Sequence, residues 1–163
     1  MSYTCTHDAT VIGDTLATLL PGIPITGMST CRGVVVNAHW VSYQKEFGLG
    51  LWALSDASGQ VKQIHIDDMQ AAGHSDIFRA QLKKVKAAVA TPPSFLVIMG
   101  SPGGEEGMLD DITAIFGESV PVIGGSAADN AVKGEWSQMS VFPTKSVKVR
   151  RLGKAPLRSG LEF

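Results

Sequence analysis

Two short loops hold most of the groups in this sequence that could do chemistry. The first, Gly27-Met28-Ser29-Thr30-Cys31-Arg32-Gly33, sets two hydroxyls and a guanidinium among glycines. The second, Gly124-Gly125-Ser126-Ala127-Ala128-Asp129, sets a hydroxyl and a carboxylate among small residues. Glycines let a ligand come close to the backbone and leave N–H groups free, while Ser and Thr hydroxyls can donate or accept. Arg32 and Asp129 stand at matching places in the two loops, so a base and an acid facing one cleft would suit a zwitterion. The plainer alternative is an ordinary salt bridge or two solvent-facing charges.

Covalent chemistry fits these residues less well. Ser126 ends an apolar run, but its surroundings are not G-x-S-x-G, and Asn130 to Glu135 followed by a strand takes the place of the helix that a nucleophile elbow needs. Gly100-Ser101-Pro102-Gly103-Gly104 opens a helix where backbone N–H groups could hold an anion. It lacks the lysine of a P-loop, however, and Glu105 and Glu106 already complement the helix dipole. For metal, Cys5, His7, Cys31 and His39 are the only candidate set, without C-x-x-C or H-E-x-x-H spacing, so no metal site and no cofactor are expected. Two cysteines make no disulfide framework, and a reducing cytoplasm is the expected compartment. Cys5 and Cys31 nonetheless fall at the ends of two strands expected to be neighbours, which keeps a redox or zinc reading open.

The elements that must carry these loops are legible as periodicity. Ser2 to Thr6 reads as a strand, and Asp8 is placed to cap a helix whose apolar face is Ile12, Leu16, Leu19 and Leu20, ended by Pro21-Gly22. Ile23 to Thr26 is a buried strand leading into the first loop. Three runs rich in β-formers follow, Val34 to Ser42, Glu46 to Ser55 and Val61 to Asp67, the last two joined by a turn at Asp56-Ala57-Ser58-Gly59. Gly48 and Gly50 leave side-chain-free positions on one face, where something approaches closely. Ser75 then caps a helix with Phe78, Leu82, Val85 and Val89 inward. Phe95 to Met99 is a strand, Met108, Ile112, Ile115 and Phe116 mark a second inward helical stripe, and Val120 to Ile123 is a strand leading into the second loop. Trp136 to Phe142 and Ser146 to Leu152 close the chain as antiparallel strands.

Residues 12–29 laid over 109–126, an offset of 97, match at five of eighteen positions: Asp14/Asp111, Ala17/Ala114, Pro24/Pro121, Gly27/Gly124 and Ser29/Ser126. The apolar pairs Ile12/Leu109, Leu19/Phe116, Ile23/Val120 and Ile25/Val122 follow the same burial pattern, as an internal duplication requires. The expected fold is therefore α/β, with mixed β-sheets and covering helices, built from two pseudo-symmetric β-α-β-β halves at about 2–67 and 94–152. One domain is expected over 1–152. With 44% hydrophobic and 18% charged residues, 163 residues can bury a core, and no apolar run approaches the ~20 residues of a spanning helix. Residues 1–144 hold eight Lys/Arg and fourteen Asp/Glu, against six and one in 145–163. An acidic body with a basic, flexible tail at 153–163 argues against dedicated nucleic-acid binding and against a membrane partner.

The first loop resembles the G-C-S-T-x-G motif of the FIST N-terminal sensory domain, and Pro121-Val122-Ile123-Gly124-Gly125-Ser126-Ala127-Ala128-Asp129 resembles that family's P-V-x-G-G-x-A-x-D motif. The order of the motifs and the intervening elements also fit, over about residues 5–150. Met28 departs from the family's Cys, Arg32 lengthens the spacing before Gly33, the first strand is short, and no C-terminal FIST partner domain follows. The resemblance implies a cytoplasmic sensory domain that binds a small ligand such as an amino acid. It places Gly27, Ser29, Thr30, Gly33, Gly124, Gly125, Ala127 and Asp129 around the pocket, and the residue chemistry adds Arg32 and Ser126. No catalytic residue is expected. The alternatives are a Ser- or anion-loop-based hydrolase or transferase, and a self-assembling protein without a ligand. A homodimer is expected in any case, because a short first strand leaves an edge or apolar face to cover.

Overall fold

The computed structural model describes residues 1–37, 39–41, 48–57, 59, 61–66, 74–144 and 146–151; the expected basic tail at 153–163 lies outside the described residues. The chain divides into two compact units, Met1–Ala57 with the chain from Ala127 onward, and Ser58–Ser126.

In the first unit, strand β1 (Ser2–Thr4), helix α1 (Ala9–Leu19) and strand β2 (Ile25–Thr30) form a β-α-β unit with β1 and β2 parallel. The helix starts where it does because Asp8 Oδ1 accepts from the N–H groups of Thr10 at 2.8 Å and Val11 at 3.3 Å. Its buried face is Ala9, Ile12, Gly13, Leu16 and Ala17. Leu19 and Leu20 do not join it, being 68% and 40% exposed. Leu19 is the last helical residue, and Leu20 has already left helical geometry at φ −125°, ψ 61°. Small residues bring the helix close to the sheet: a Cβ on Gly13 would stand 2.5 Å from a methyl of Val147.

Three further strands complete this sheet: β5 (Leu49–Gly50), β8 (Ser137–Val141) and β9 (Val147–Arg151), in the order β5-β1-β2-β8-β9, all antiparallel to their neighbours except the β1–β2 pair. Tyr3, Met139 and Val141 are the large side chains it buries fully, packed with Ile12, Leu16 and Ala17. The close approach expected at Gly48 is made by β1: Thr4 N–H donates to Gly48 O at 2.9 Å, and Gly48 N–H donates to Thr4 Oγ1 at 3.1 Å.

The run from Val34 to Ser42 is not one strand but two, β3 (Val34–Val36) and β4 (His39–Val41), paired antiparallel with Val36 opposite His39. Asn37 takes φ 49°, a left-handed turn conformation that Asn tolerates. Two other β-rich runs also differ from expectation. Among the described residues only Leu49–Gly50 of the second is a strand, and Val61–Ile66 of the third is not, so the strands expected on either side of Asp56–Gly59 do not form there. Leu51, Trp52, Leu54 and Val61 are half or more exposed. Strand propensity without a neighbouring strand to pair with does not make a sheet.

The second unit contains helix α2 (His74–Ala87), strand β6 (Leu96–Gly100), helix α3 (Glu105–Phe116) and strand β7 (Val122–Ser126), with β6 and β7 parallel. Its core joins Phe78 and Leu82 of α2 to Ile112, Ile115 and Phe116 of α3, with Leu96, Ile98 and Val122 packed against them. Asp111, buried on α3, accepts from Arg79 Nε of α2 at 2.5 Å. Both β-α-β units pair residue i of the first strand with i+26 of the second: Tyr3 with Ser29, Gly100 with Ser126. The echo read from the sequence is thus also an echo of strand register.

Candidate functional site

In open α/β sheets ligands bind beyond the carboxyl ends of parallel strands, and each unit has one such end. In the first unit it is where β1 and β2 finish, at Cys5 and Cys31. Ser29, on β2, is fully buried. Its Oγ donates to Ala128 O at 2.9 Å and accepts from Ser137 N–H at 2.9 Å, while Ala128 N–H returns a bond to Ser29 O at 3.0 Å. One hydroxyl therefore clamps both ends of the 128–137 loop to β2. Thr30 Oγ1 donates to Gly33 O at 2.7 Å, closing the turn after β2.

That turn is conformationally specific. Arg32 has φ 64° and Gly33 φ 144°, and Arg32 N–H donates to Asn130 Oδ1 at 2.7 Å. The backbone is held while the Arg32 side chain is exposed to solvent. Asp129 is buried, and its carboxylate accepts from the N–H groups of Ala131, Lys133 and Glu135 at 2.7–3.3 Å. Burial alone would raise its pKa; the N–H groups of Ala131, Glu135, Lys133 and Val132 outweigh it and hold the carboxyl below its usual range. Asp129 shapes its own loop, and Arg32 presents an exposed charge.

Gly27 is explained by packing, since a Cβ there would meet Met1 Cε at 2.6 Å and Met139 Cγ at 3.3 Å. Ala127 is buried at the start of the loop.

In the second unit the strand ends carry Gly100 and Ser126, followed on the β6 side by Ser101 and the start of α3. Ser126 Oγ donates to Glu105 Oε1 at 2.5 Å, and Gly103 N–H donates to Glu105 Oε2 at 2.8 Å. The Ser126 hydroxyl, helped by the N–H groups of Glu105, Gly103 and Gly104 against a smaller opposing effect of burial, holds the Glu105 carboxyl below its usual range. The helix N-terminus is thus filled by the protein's own carboxylate. Gly124, at φ 142°, is the tightest position on the strand pair: a Cβ would fall 1.9 Å from Ile98 O. Gly125 lies next to it, opposite Met99.

A family model, the FIST N domain, matches residues 1–152 of the 163-residue chain. The chain belongs to the FIST N domain family. That family is a sensory and signalling one. No curated protein and no solved structure matches the chain.

Within this FIST N domain, Ser29, Thr30, Arg32, Gly33, Ala127 and Asp129 come together around the end of β2, while Gly124, Gly125 and Ser126 lie on β7 of the other unit. Three contributors escaped sequence reasoning. Asn130 holds the Arg32 turn, Ser137 ties β8 to Ser29 and also meets Tyr3 Oη at 3.0 Å, and Glu105 partners Ser126. Glu105 carried a signal, since an acid in a first helical turn is always a candidate partner for a nearby strand-end hydroxyl. Among the described residues no group of three His, Cys, Asp or Glu could hold a metal ion, and no helix is long and apolar enough to cross a membrane. A concavity of about 320 Å³ opens on α1, lined by Asp14, Thr15, Thr18 and Leu19.

Proposed function

We propose that this FIST N domain recognises a small polar metabolite, an amino acid or a close chemical relative, at its strand-end loops, and that it acts by binding rather than by turnover. The observation that carries the reading is the Thr30–Gly33 turn. A left-handed Arg32, fixed by Asn130 and by the Thr30–Gly33 bond, presents an exposed guanidinium beyond the carboxyl end of a parallel strand pair. A guanidinium so placed suits a carboxylate, which it can bind bidentately. In the other unit the Ser126–Glu105 pair offers an ionised carboxylate and a hydroxyl, a match for an ammonium or other donor group. Each loop is assigned on its own geometry.

Glu105 also supports the non-enzymatic reading. A serine nucleophile needs a base with a pKa near the working pH, and a carboxylate held below its usual range is a poor one.

The proposed setting is the cytoplasm, with a homodimer as the assembly. The dimer is supported by the outer face of the β6–β7 pair, where register partners Val97 and Ile123 are 45% and 50% exposed, because parallel sheets are normally covered on both faces.

Thermal-shift screening against free amino acids and related metabolites tests the reading. A ligand should raise the melting temperature. Arg32→Asn, which removes the cation but tolerates the left-handed backbone, should abolish the rise given by a ligand held at the first loop, and Ser126→Ala that given by a ligand held at the second. No shift with any compound, or one unchanged in both variants, overturns it.

A further inference from the structure

We propose that Cys5 and Cys31 are a modification site, a dithiol that closes reversibly to a disulfide across the ends of β1 and β2. The register leads there directly. Thr4 pairs with Thr30, so the next positions on the two strands are Cys5 and Cys31. The parallel ladder continues into this step, because Cys5 N–H donates to Thr30 O at 3.3 Å. Neighbouring strands stand ~4.8 Å apart, within the ~4.4–6.8 Å between Cα atoms that a disulfide spans. Residues in register across a pair project to the same side of the sheet. Both thiols are free, Cys5 half-buried and Cys31 exposed.

Their environments differ in the way a two-step exchange needs. Burial pushes the Cys5 thiol up; the Asn130 N–H opposes this, and the nearby Asp129 carboxylate and Cys31 itself push it up further. The mutual influence of the two sulfurs is a second sign that they are close. Cys31 is the accessible partner. Its thiolate attacks a small-molecule disulfide of the glutathione class, forming a mixed disulfide and releasing one thiolate, which takes up the proton Cys31 lost. The Cys5 thiol then loses its proton and attacks Cys31 Sγ, releasing the second small thiol. Two protein thiols are oxidised, one external disulfide is reduced to two thiols, and atoms and electrons balance. The product ties the chain ends of the β1-α1-β2 unit and fixes the residue before Arg32. Neither the step nor its test depends on a metabolite ligand.

The chain has two cysteines, so the readout is unambiguous. The folded full chain is incubated with oxidised glutathione and examined by intact mass and by peptide mapping without reduction. The expected product is a single chain lighter by two hydrogens, with the Cys5 and Cys31 peptides joined, a higher melting temperature and full reversal by dithiothreitol. Cys31→Ser should form neither the bridge nor a disulfide-linked pair of chains, and Cys5→Ser should stop at one glutathione adduct on Cys31. The proposal is overturned if the wild type stops at glutathione adducts, links to a second chain, or reacts only after denaturation.

Discussion

Ser29→Ala removes one oxygen atom and strands two partners. In the folded chain the Ser29 hydroxyl is fully buried, accepting from Ser137 N–H and donating to Ala128 O, both at 2.9 Å. Losing the bond to Ala128 O costs about 1 kcal/mol, because that carbonyl lies nearer to solvent, and leaving the buried Ser137 N–H unpaired costs about 1–3 kcal/mol more. The expected loss is therefore about 2–4 kcal/mol, well above the roughly 0.5 kcal/mol of an ordinary surface substitution. Trp136 sits beside Ser137 and is 4% exposed, so its fluorescence reports this unit during urea unfolding. The midpoint should fall while the dependence on urea stays the same. Ser126→Ala, at the echo position, is the internal control. Its hydroxyl is only part-buried, and Glu105 keeps the Gly103 N–H and access to water, so the cost should stay below about 1 kcal/mol. Equal costs for the two alanines, or a Ser29→Ala variant as stable as wild type, would refute the clamp.

The glycine on β7 is a sharper steric test. Gly124→Ala puts a Cβ 1.9 Å from Ile98 O on a left-handed backbone, so the second unit should lose about 3 kcal/mol or more, or fail to fold, as judged by thermal melting. Arg79→Ala leaves the buried Asp111 carboxylate without its guanidinium and should cost about 1–3 kcal/mol in urea unfolding, with an unchanged melt ruling out a structural role for the pair. Asp129 gives a pH signature. Its folded pKa lies below the ordinary value, so its contribution is complete above about pH 4–5 and is lost as the pH falls through the lower folded value. Asp129→Asn should be less stable at neutral pH and lose less than wild type on acidification; parallel stability–pH curves would contradict that.

Much of the β-α-β architecture was legible because it rests on local pattern. The apolar runs of β6 and β7, the Asp8 cap and the α3 stripe are sequence signals with a direct physical cause, and the 97-residue offset reappears as a shared strand register. What was not legible depends on partners distant in sequence. Val61–Ile66 has the composition of a strand but forms none, and β8 pairs with β2, more than a hundred residues away. The site divides the same way. Its glycines and hydroxyls were identifiable as a set, but their roles follow from neighbours the sequence does not announce. Gly27 yields space to Met1 and Met139, Ser29 is committed to Ala128 and Ser137, and Asp129 to its own loop. Arg32 emerges as the exposed charge only once its backbone angle and the Asn130 contact are known.

The central claim is that the Arg32 turn recognises a small carboxylate-bearing metabolite without transforming it. Titration calorimetry of free amino acids into the wild-type chain, repeated with Arg32→Asn, tests it most directly. Saturable binding of at least one compound, recovered chemically unchanged and lost in a variant whose unfolding curve matches wild type, is the predicted result. Binding that survives the loss of the guanidinium, conversion of the compound, or no binding at all would contradict it.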